Sequence, residues 1–306
     1  RPTTQGFRPM FIPCTQPDRN NPEKDWYQSE DWAFCQRALS LGFKVYVDLL
    51  PNVGHWGVYC YTVGDAYHGI KRETFFTPPN FTLIHATRGR PEMAMQARSN
   101  WISRASGIHP IQYIFSCDDD DPRPLQQDQI PGDTALIVGP NRGNVDAYNA
   151  AAYKLATGDI WIQVHDDVLP PQNWDELIIK ALNNNWEREA VVRVGDGLPP
   201  GVNAHNDGLL TILIGTRKWF ESIGYFYHPS FVSIYCDDHA TKMAEKHGVI
   251  VEARDLIFAH DWQGADRDET QKRSYAPRNW EQGKESLQRL IDEGLPKEPH
   301  LWGSTL

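Results

Sequence analysis

The chain has 306 residues, enough for one large domain or two smaller ones, and 40% of them are hydrophobic, ample for a packed core. Against 40 Asp and Glu stand 30 Lys and Arg, a formal net charge of −10 that argues against a broad phosphate-tracking surface and leaves only a local basic groove. Cys14, Cys35, Cys60, Cys117 and Cys236 are scattered without metal-finger spacing, and neither an apolar run of about 18 residues nor a signal pattern occurs. These features predict a soluble protein of a reducing, cytoplasmic compartment.

Residues 1–79 contain one clear module, from Ser29 to Gly57. Ser29 caps a helix with Glu30 and Asp31 in its first turn, Phe34, Ala38 and Leu41 share a face, and Gly42 ends it. Phe43, Val45 and Val47 then alternate as a strand that leads to His55-Trp56, and Thr77-Pro78-Pro79-Asn80 reads as a linker.

A new start follows at Phe81. Phe81, Leu83 and Ile84 predict a strand, Thr87-Arg88-Gly89-Arg90-Pro91 a turn, and Pro91 suits the first position of a helix lined by Met93, Met95, Ala97 and Trp101. A second strand, Ile111 to Cys117, runs into Asp118, with Asp119, Asp120 and Asp121 reading as loop solvation. Ala135 to Val138 reads as a strand buried on both faces. Val145, Tyr148, Ala152 and Leu155 recur at helical spacing, Gly158 stands where a C-cap would, and Ile160 to Val164 resume a strand. This βαβ unit ends in His165-Asp166-Asp167. Ligands of an open α/β sheet bind outside the carboxyl ends of its strands, so an acidic pair there is placed to hold a cation or a sugar hydroxyl; the competing reading is a helix cap or a solvated turn. An acidic helix near Trp174, strands at Ala190 to Val194 and Leu209 to Ile214, and a short helix from Lys218 to Ile223 come next.

Near residue 236 the chain repeats itself. Asp237-Asp238, a helix, Gly248, a strand at Val249 to Val251 and His260-Asp261-Trp262 follow the order of Glu30-Asp31, helix, Gly42, strand and His55-Trp56.

Taken in order, the Thr87–Pro91 turn, Asp118, Asn141-Arg142-Gly143 with Asn149, His165-Asp166-Asp167, Cys236-Asp237-Asp238, His260, Asp268-Glu269-Thr270 and Trp280 to Gly283 resemble a nucleotide-sugar-dependent glycosyltransferase of the GT-A fold, particularly the members encoded by bacteriophages. The resemblance implies a GT-A (Rossmann-like) mixed α/β sheet flanked by helices at residues 80–265, with a C-terminal helical tail at 266–306. Residues 1–79 would be a partial second copy, either a tandem domain in which the chain begins or a degenerate copy, so that Glu30, Asp31 and His55 are not the working set. Thr87, Arg88 and Arg90 would lie against the nucleotide, Asp118 would accept from its base, and Asn141 and Arg142 would approach the donor's sugar or diphosphate. Asp166 would reach the donor sugar or stand behind the metal. Asp167 would bind Mn²⁺ or Mg²⁺ with His260 as a second ligand, an imidazole favouring Mn²⁺; a structural histidine is the competing reading. His165 replaces the usual first Asp, which puts metal dependence in question. Asp238, beside Asp237, would take the acceptor's proton in an inverting transfer, while the competing reading of both is a first turn interacting with the helix dipole.

The implied donor is a nucleoside-diphosphate sugar, UDP-sugar foremost. The implied acceptors include a hydroxymethylated base of phage DNA, for which Arg267, Lys272, Arg273, Arg278, Lys284 and Arg289 would supply a local basic face. A sugar nucleotidylyltransferase ranks below because the Thr87–Pro91 turn has one Gly. The alternative of another class is a non-catalytic nucleotide- or glycan-binding scaffold module.

Overall fold

The structure, a computed structural model, describes residues 14–17, 25–28, 78–198, 208–261 and 268–302; the module at Ser29–Gly57, Trp262 and Arg267 lie outside the described residues. The chain divides into two units, residues 1–77 and 78–306. In the first, β1 (Cys14–Pro17) pairs antiparallel with β2 (Asp25–Gln28).

The second unit alternates strands and helices: β3 (Phe81–Ala86), α1 (Pro91–Ser103), β4 (Ile111–Asp118), β5 (Thr134–Gly139), α2 (Asn144–Leu155), β6 (Ile160–Val164), β7 (Val168–Leu169), α3 (Trp174–Ala181) and β8 (Val191–Gly195). It continues with β9 (Ile214–Thr216), α4 (Arg217–Ile223), α5 (Cys236–Lys246), β10 (Ile250–Ile257), β11 (Ala259–His260), α6 (Glu269–Ser274) and α7 (Pro277–Asp292). Seven strands form one sheet in the order β10-β8-β9-β6-β3-β4-β5, parallel throughout except for β9, which runs against β6 and β8. This is a mixed α/β sheet flanked by helices. Its central strands β3 and β6 are apolar runs because both of their faces are covered. One face packs Trp101 and Trp174 with Phe81, Phe115 and Phe258, and the other packs Tyr148, Trp161, Phe220, Phe226 and Leu290. Each such side chain contributes roughly 1.5–3 kcal/mol through its burial. No helix among the described residues is long and apolar enough to cross a membrane.

Four local expectations change. β5 is an edge strand, so its apolar run is only partly buried: Leu136 packs on one core and Ala135 and Ile137 on the other, while Val138 is 56% exposed. α1 turns Ala94, Ala97 and Trp101 inward with Arg98, which donates to Thr134 and pairs with Asp133; Met93 and Met95 sit at the margin. Leu210 and Leu213 are buried without joining the sheet, because their N–H groups bond the side chains of Thr241 and Gln163 instead of a neighbouring strand. Gly158 does not cap α2, which ends at Leu155; a Cβ there would lie 2.8 Å from the β3 backbone at Phe81 and Thr82.

Two glycines fix the start of α5. A Cβ on Gly143, at φ +111, would lie 2.4 Å from the Val232 carbonyl oxygen, and one on Gly283 of α7 would lie 2.5 Å from that of Ile234. The segment from Val232 to Tyr235 therefore runs between two backbones at close approach. Tyr235 itself takes φ +70, a strained conformation for a bulky residue. Gly283→Ala is expected to cost about 1–3 kcal/mol by forcing this contact apart, read as a lower urea midpoint. Gly132→Ala, at a position with open space, is expected to leave the midpoint unchanged.

His239 of α5 is 1% exposed and packs against Tyr225, His228 and Phe231. Burial, helped by His228, lowers its pKa from 6.5 to about 3. The unfolded chain therefore binds a proton below about pH 6.5 that the native state refuses until about pH 3, so this contribution to stability is full above that window and falls as the pH drops through it. Measured from about pH 4 to about 6.5, the urea midpoint of His239→Phe is expected to depend less on pH than that of the wild type.

Candidate functional site

The carboxyl ends of β3, β4 and β6 open into one cavity of about 640 Å³. Thr87, Arg88 and Arg90 reach it from the turn after β3, Asp118 from the last position of β4, and Asn141 and Arg142 from the approach to α2. Asp166 and Asp167 follow β6, Asp237 and Asp238 open α5, and His260 comes from β11, so the cavity draws together the residues to which the sequence gave a donor, metal or acid/base role. Tyr148, Gln163, Tyr227, Tyr235, Trp280 and His165 complete much of its wall.

The floor is fixed by side chains that hold loops. Asn149 of α2 accepts from the Phe226 and Tyr227 N–H groups and donates to the Tyr227 carbonyl, which pins the aromatic loop. Tyr227 then donates its hydroxyl to Gln163 of β6 at 2.8 Å, and Tyr148 donates to the Val164 carbonyl at 3.0 Å.

Asp166 is the best-held acid of the site. Its side chain is 7% exposed; Oδ1 accepts from His85 Nε2 and Thr87 Oγ1, both at 2.9 Å, and Oδ2 accepts from Arg90 at 3.4 Å. Because a carboxylate only accepts, His85 donates through Nε2 and takes the Tyr113 hydroxyl at Nδ1, 2.7 Å away. Arg90 also forms two parallel 2.7 Å bonds to Asp268, which caps α6 through Gln271 N–H. That pairing holds the Asp268 carboxyl below the usual carboxylate range.

A second network ties the same turn to the acidic loop after β4. Arg88 bonds Asp118 at 2.9 Å and also Asp120, and Gly89 N–H donates to Asp121. Asn141 donates to both oxygens of Asp120 and accepts from Arg273 of α6. Asp120 and Asp121 thus shape the site, although the sequence suggested solvation. These loop contacts came from residues that periodicity does not register. Burial, outweighing Arg88, raises the Asp118 pKa. Among the described residues Arg142 and Arg278 line the cavity without an ion pair.

His165, Asp167 and His260 each bring a metal-ligating atom within 4.8 Å of the others. His260 Nε2 stands 3.4 Å from Asp167 Oδ1, and the His165 and His260 rings lie 5.7 Å apart. His165 Nε2 is buried with no hydrogen-bond partner, and burial together with His260 lowers this imidazole's pKa to about 4, so it is neutral. Two imidazoles and a carboxylate fit a divalent cation. The structure brings His165 into the group from which its departure from the DxD pattern had excluded it. The signal was present, since His is itself a ligand type.

No protein-family model matches this sequence, and no curated protein sequence does either. Solved structures do. TarS 1–349 of S. aureus in complex with UDP-GlcNAc is similar at a TM-score of 0.50 and 14% identity, over 68% of this chain and 65% of that one. Mannosyltransferase PcManGT from Pyrobaculum calidifontis, in complex with GDP-Man and Mn²⁺, gives 0.46 at 13% identity over 70% and 65%. Glucosyl-3-phosphoglycerate synthase from Mycobacterium tuberculosis, in complex with Mn²⁺, UDP and phosphoglyceric acid, gives 0.44 at 13% over 74% and 84%. The chain spans 59% of another TarS 1–349 structure to which it is similar. The fold is that of the GT-A glycosyltransferases: a mixed seven-stranded sheet flanked by helices.

The Arg90–Asp268 fork is what fastens α6 to the turn after β3, with Thr270 Oγ1 donating to the Arg88 carbonyl beside it. Asp268→Ala is expected to speed hydrogen exchange at the α6 amides while leaving exchange in β3, β4 and β6 unchanged, as read by mass spectrometry.

Proposed function

We propose that this chain transfers a sugar from a nucleoside-diphosphate sugar, a UDP-sugar in the first instance, to an acceptor hydroxyl with inversion. The observation that carries the reading is the convergence of the Thr87–Arg90 turn, Asp118, Asp167, His260 and Asp238 on one cavity at the carboxyl edge of a GT-A sheet. The fold neighbour TarS 1–349, solved in complex with UDP-GlcNAc, supports the choice of donor.

Asp118 accepts from the nucleotide base, and the turn from Thr87 to Arg90 lies along the ribose. Arg142, which has no ion-pair partner among the described residues, meets the diphosphate with Asn141 beside it. Asp166 acts one step back: its carboxylate fixes Thr87 and Arg90, the groups that face the donor. Asp167 and His260 would hold Mn²⁺ or Mg²⁺, which when bound neutralises charge on the departing nucleoside diphosphate. Asp238 takes the proton from the acceptor oxygen as that oxygen attacks the anomeric carbon from the side opposite the diphosphate. Asp237 accepts the Asp238 N–H at 3.1 Å and so fixes the first turn of α5. Tyr235 and Trp280, whose rings meet edge to face at 5.5 Å, form the aromatic rim that an acceptor crosses. A hydroxymethylated base of phage DNA enters as acceptor through the sequence resemblance alone, with Lys272, Arg273 and Arg278 of α6 and α7 as the cations for its phosphates.

Asp238→Asn is expected to lower kcat for sugar transfer by about 10²–10⁴-fold with the donor's Kd unchanged, measured with radiolabelled donor and by calorimetry. A wild type that binds donor and neither transfers nor hydrolyses it would instead identify a scaffold.

A further inference from the structure

We infer that His165 is a third protein ligand of the cation site, and that its two-imidazole, one-carboxylate donor set selects a transition-metal ion over Mg²⁺. This deepens the proposed reading and relies on it for the cavity's role as a cation-assisted donor site. The three residues after β6 divide their work. Asp166 has both oxygens engaged by His85, Thr87 and Arg90, whereas the residues on either side of it, His165 and Asp167, meet His260 in the cavity.

Their backbone is set by contacts that need no ion. β11 pairs antiparallel with β7, placing His260 opposite Val168, and Asp261 N–H donates to the Asp167 carbonyl at 2.8 Å. His260 N–H donates to the Asp196 carbonyl at 2.9 Å. Adjacent ligands of an ion bound at about 2.1 Å stand about 3 Å apart. His260 Nε2 and Asp167 Oδ1, 3.4 Å apart, are close to that spacing, and all three donor atoms lie within 4.8 Å of one another, within reach of small side-chain rotations.

His165 supplies the independent observation. Its Nε2 is buried without a hydrogen-bond partner, a costly state for a polar atom unless something not made of protein satisfies it. Mg²⁺ takes oxygen ligands and keeps its waters, whereas affinity for a site with nitrogen ligands rises along the first-row transition metals from Mn²⁺ upward. Carboxylates in place of His165 and His260 would suit Mg²⁺ better; imidazoles there shift the preference to a transition-metal ion.

Chelator-stripped protein, titrated with Mn²⁺ alone and Mg²⁺ alone in the presence and absence of UDP, tests this by electron paramagnetic resonance and calorimetry. The wild type is expected to prefer Mn²⁺ and to show nitrogen couplings from two imidazoles on the bound ion. His165→Ala is expected to show one and to bind Mn²⁺ roughly tenfold or more weakly. In His165→Asp, which also serves if the Ala variant fails to fold, one nitrogen coupling is lost, Mn²⁺ still binds, and the preference over Mg²⁺ narrows. Unchanged couplings and affinity in folded His165→Ala, or an unchanged coupling count in His165→Asp, would overturn the inference. Loss of Mn²⁺ in Asp167→Asn alone would then leave the cation site of the proposed function standing. A folded wild type that binds neither ion, even with UDP, contradicts both.

Discussion

One buried carboxylate holds the site together. Burying the Asp166 side chain, 7% exposed at the end of β6, would be costly without partners, and three donors from the β3 side supply them: His85, Thr87 and Arg90. The same guanidinium turns its other edge to Asp268, so a single anion joins the central strand, the turn after its neighbour and the first helix of the C-terminal tail. Planar, two-point pairing of this kind fixes direction as well as distance. The wall of the cavity is therefore set before any ligand arrives.

Around that anchor the charges are arranged in alternation. Arg88 lies between Asp118 and Asp120, Asn141 links Asp120 to Arg273, and Gly89 N–H meets Asp121. A chain with a net charge of −10 thus keeps a cavity in which several acids already have partners. Arg142 and Arg278 also line it, free of ion pairs among the described residues. On the opposite wall, the segment from Val232 to Tyr235 is held between Gly143 and Gly283, which sets where Asp237 and Asp238 emerge.

The strands β3, β4 and β6 and the helix α2 were legible in the sequence because apolar runs and helical spacing report burial directly. The place of β5 at the sheet edge was not, since strand order is decided by partners far along the chain. Leu210 and Leu213 misled for a related reason: they are buried, but the side chains of Thr241 and Gln163 take their N–H groups, and no local pattern encodes that. In the cavity, the acids and basic residues were legible as motifs, while their division of labour was not. Asp166 and Asp167 are neighbours of one type, yet one faces His85, Thr87 and Arg90 and the other His165 and His260. His165 was read as a defect in a pattern of carboxylates because the pattern, not the donor chemistry of imidazole, set the expectation.

The central claim is that this cavity takes a nucleoside diphosphate. A thermal-shift panel of nucleoside diphosphates and their sugars, each with and without Mn²⁺, tests it most directly, since a ligand specific to the native state adds about 2.7 kcal/mol at a hundredfold excess over its Kd. A rise in Tm with one nucleotide, larger with Mn²⁺, whose Mn²⁺-dependent part is lost in Asp167→Asn, is the predicted result. Folded protein whose Tm none of these ligands moves would contradict the account.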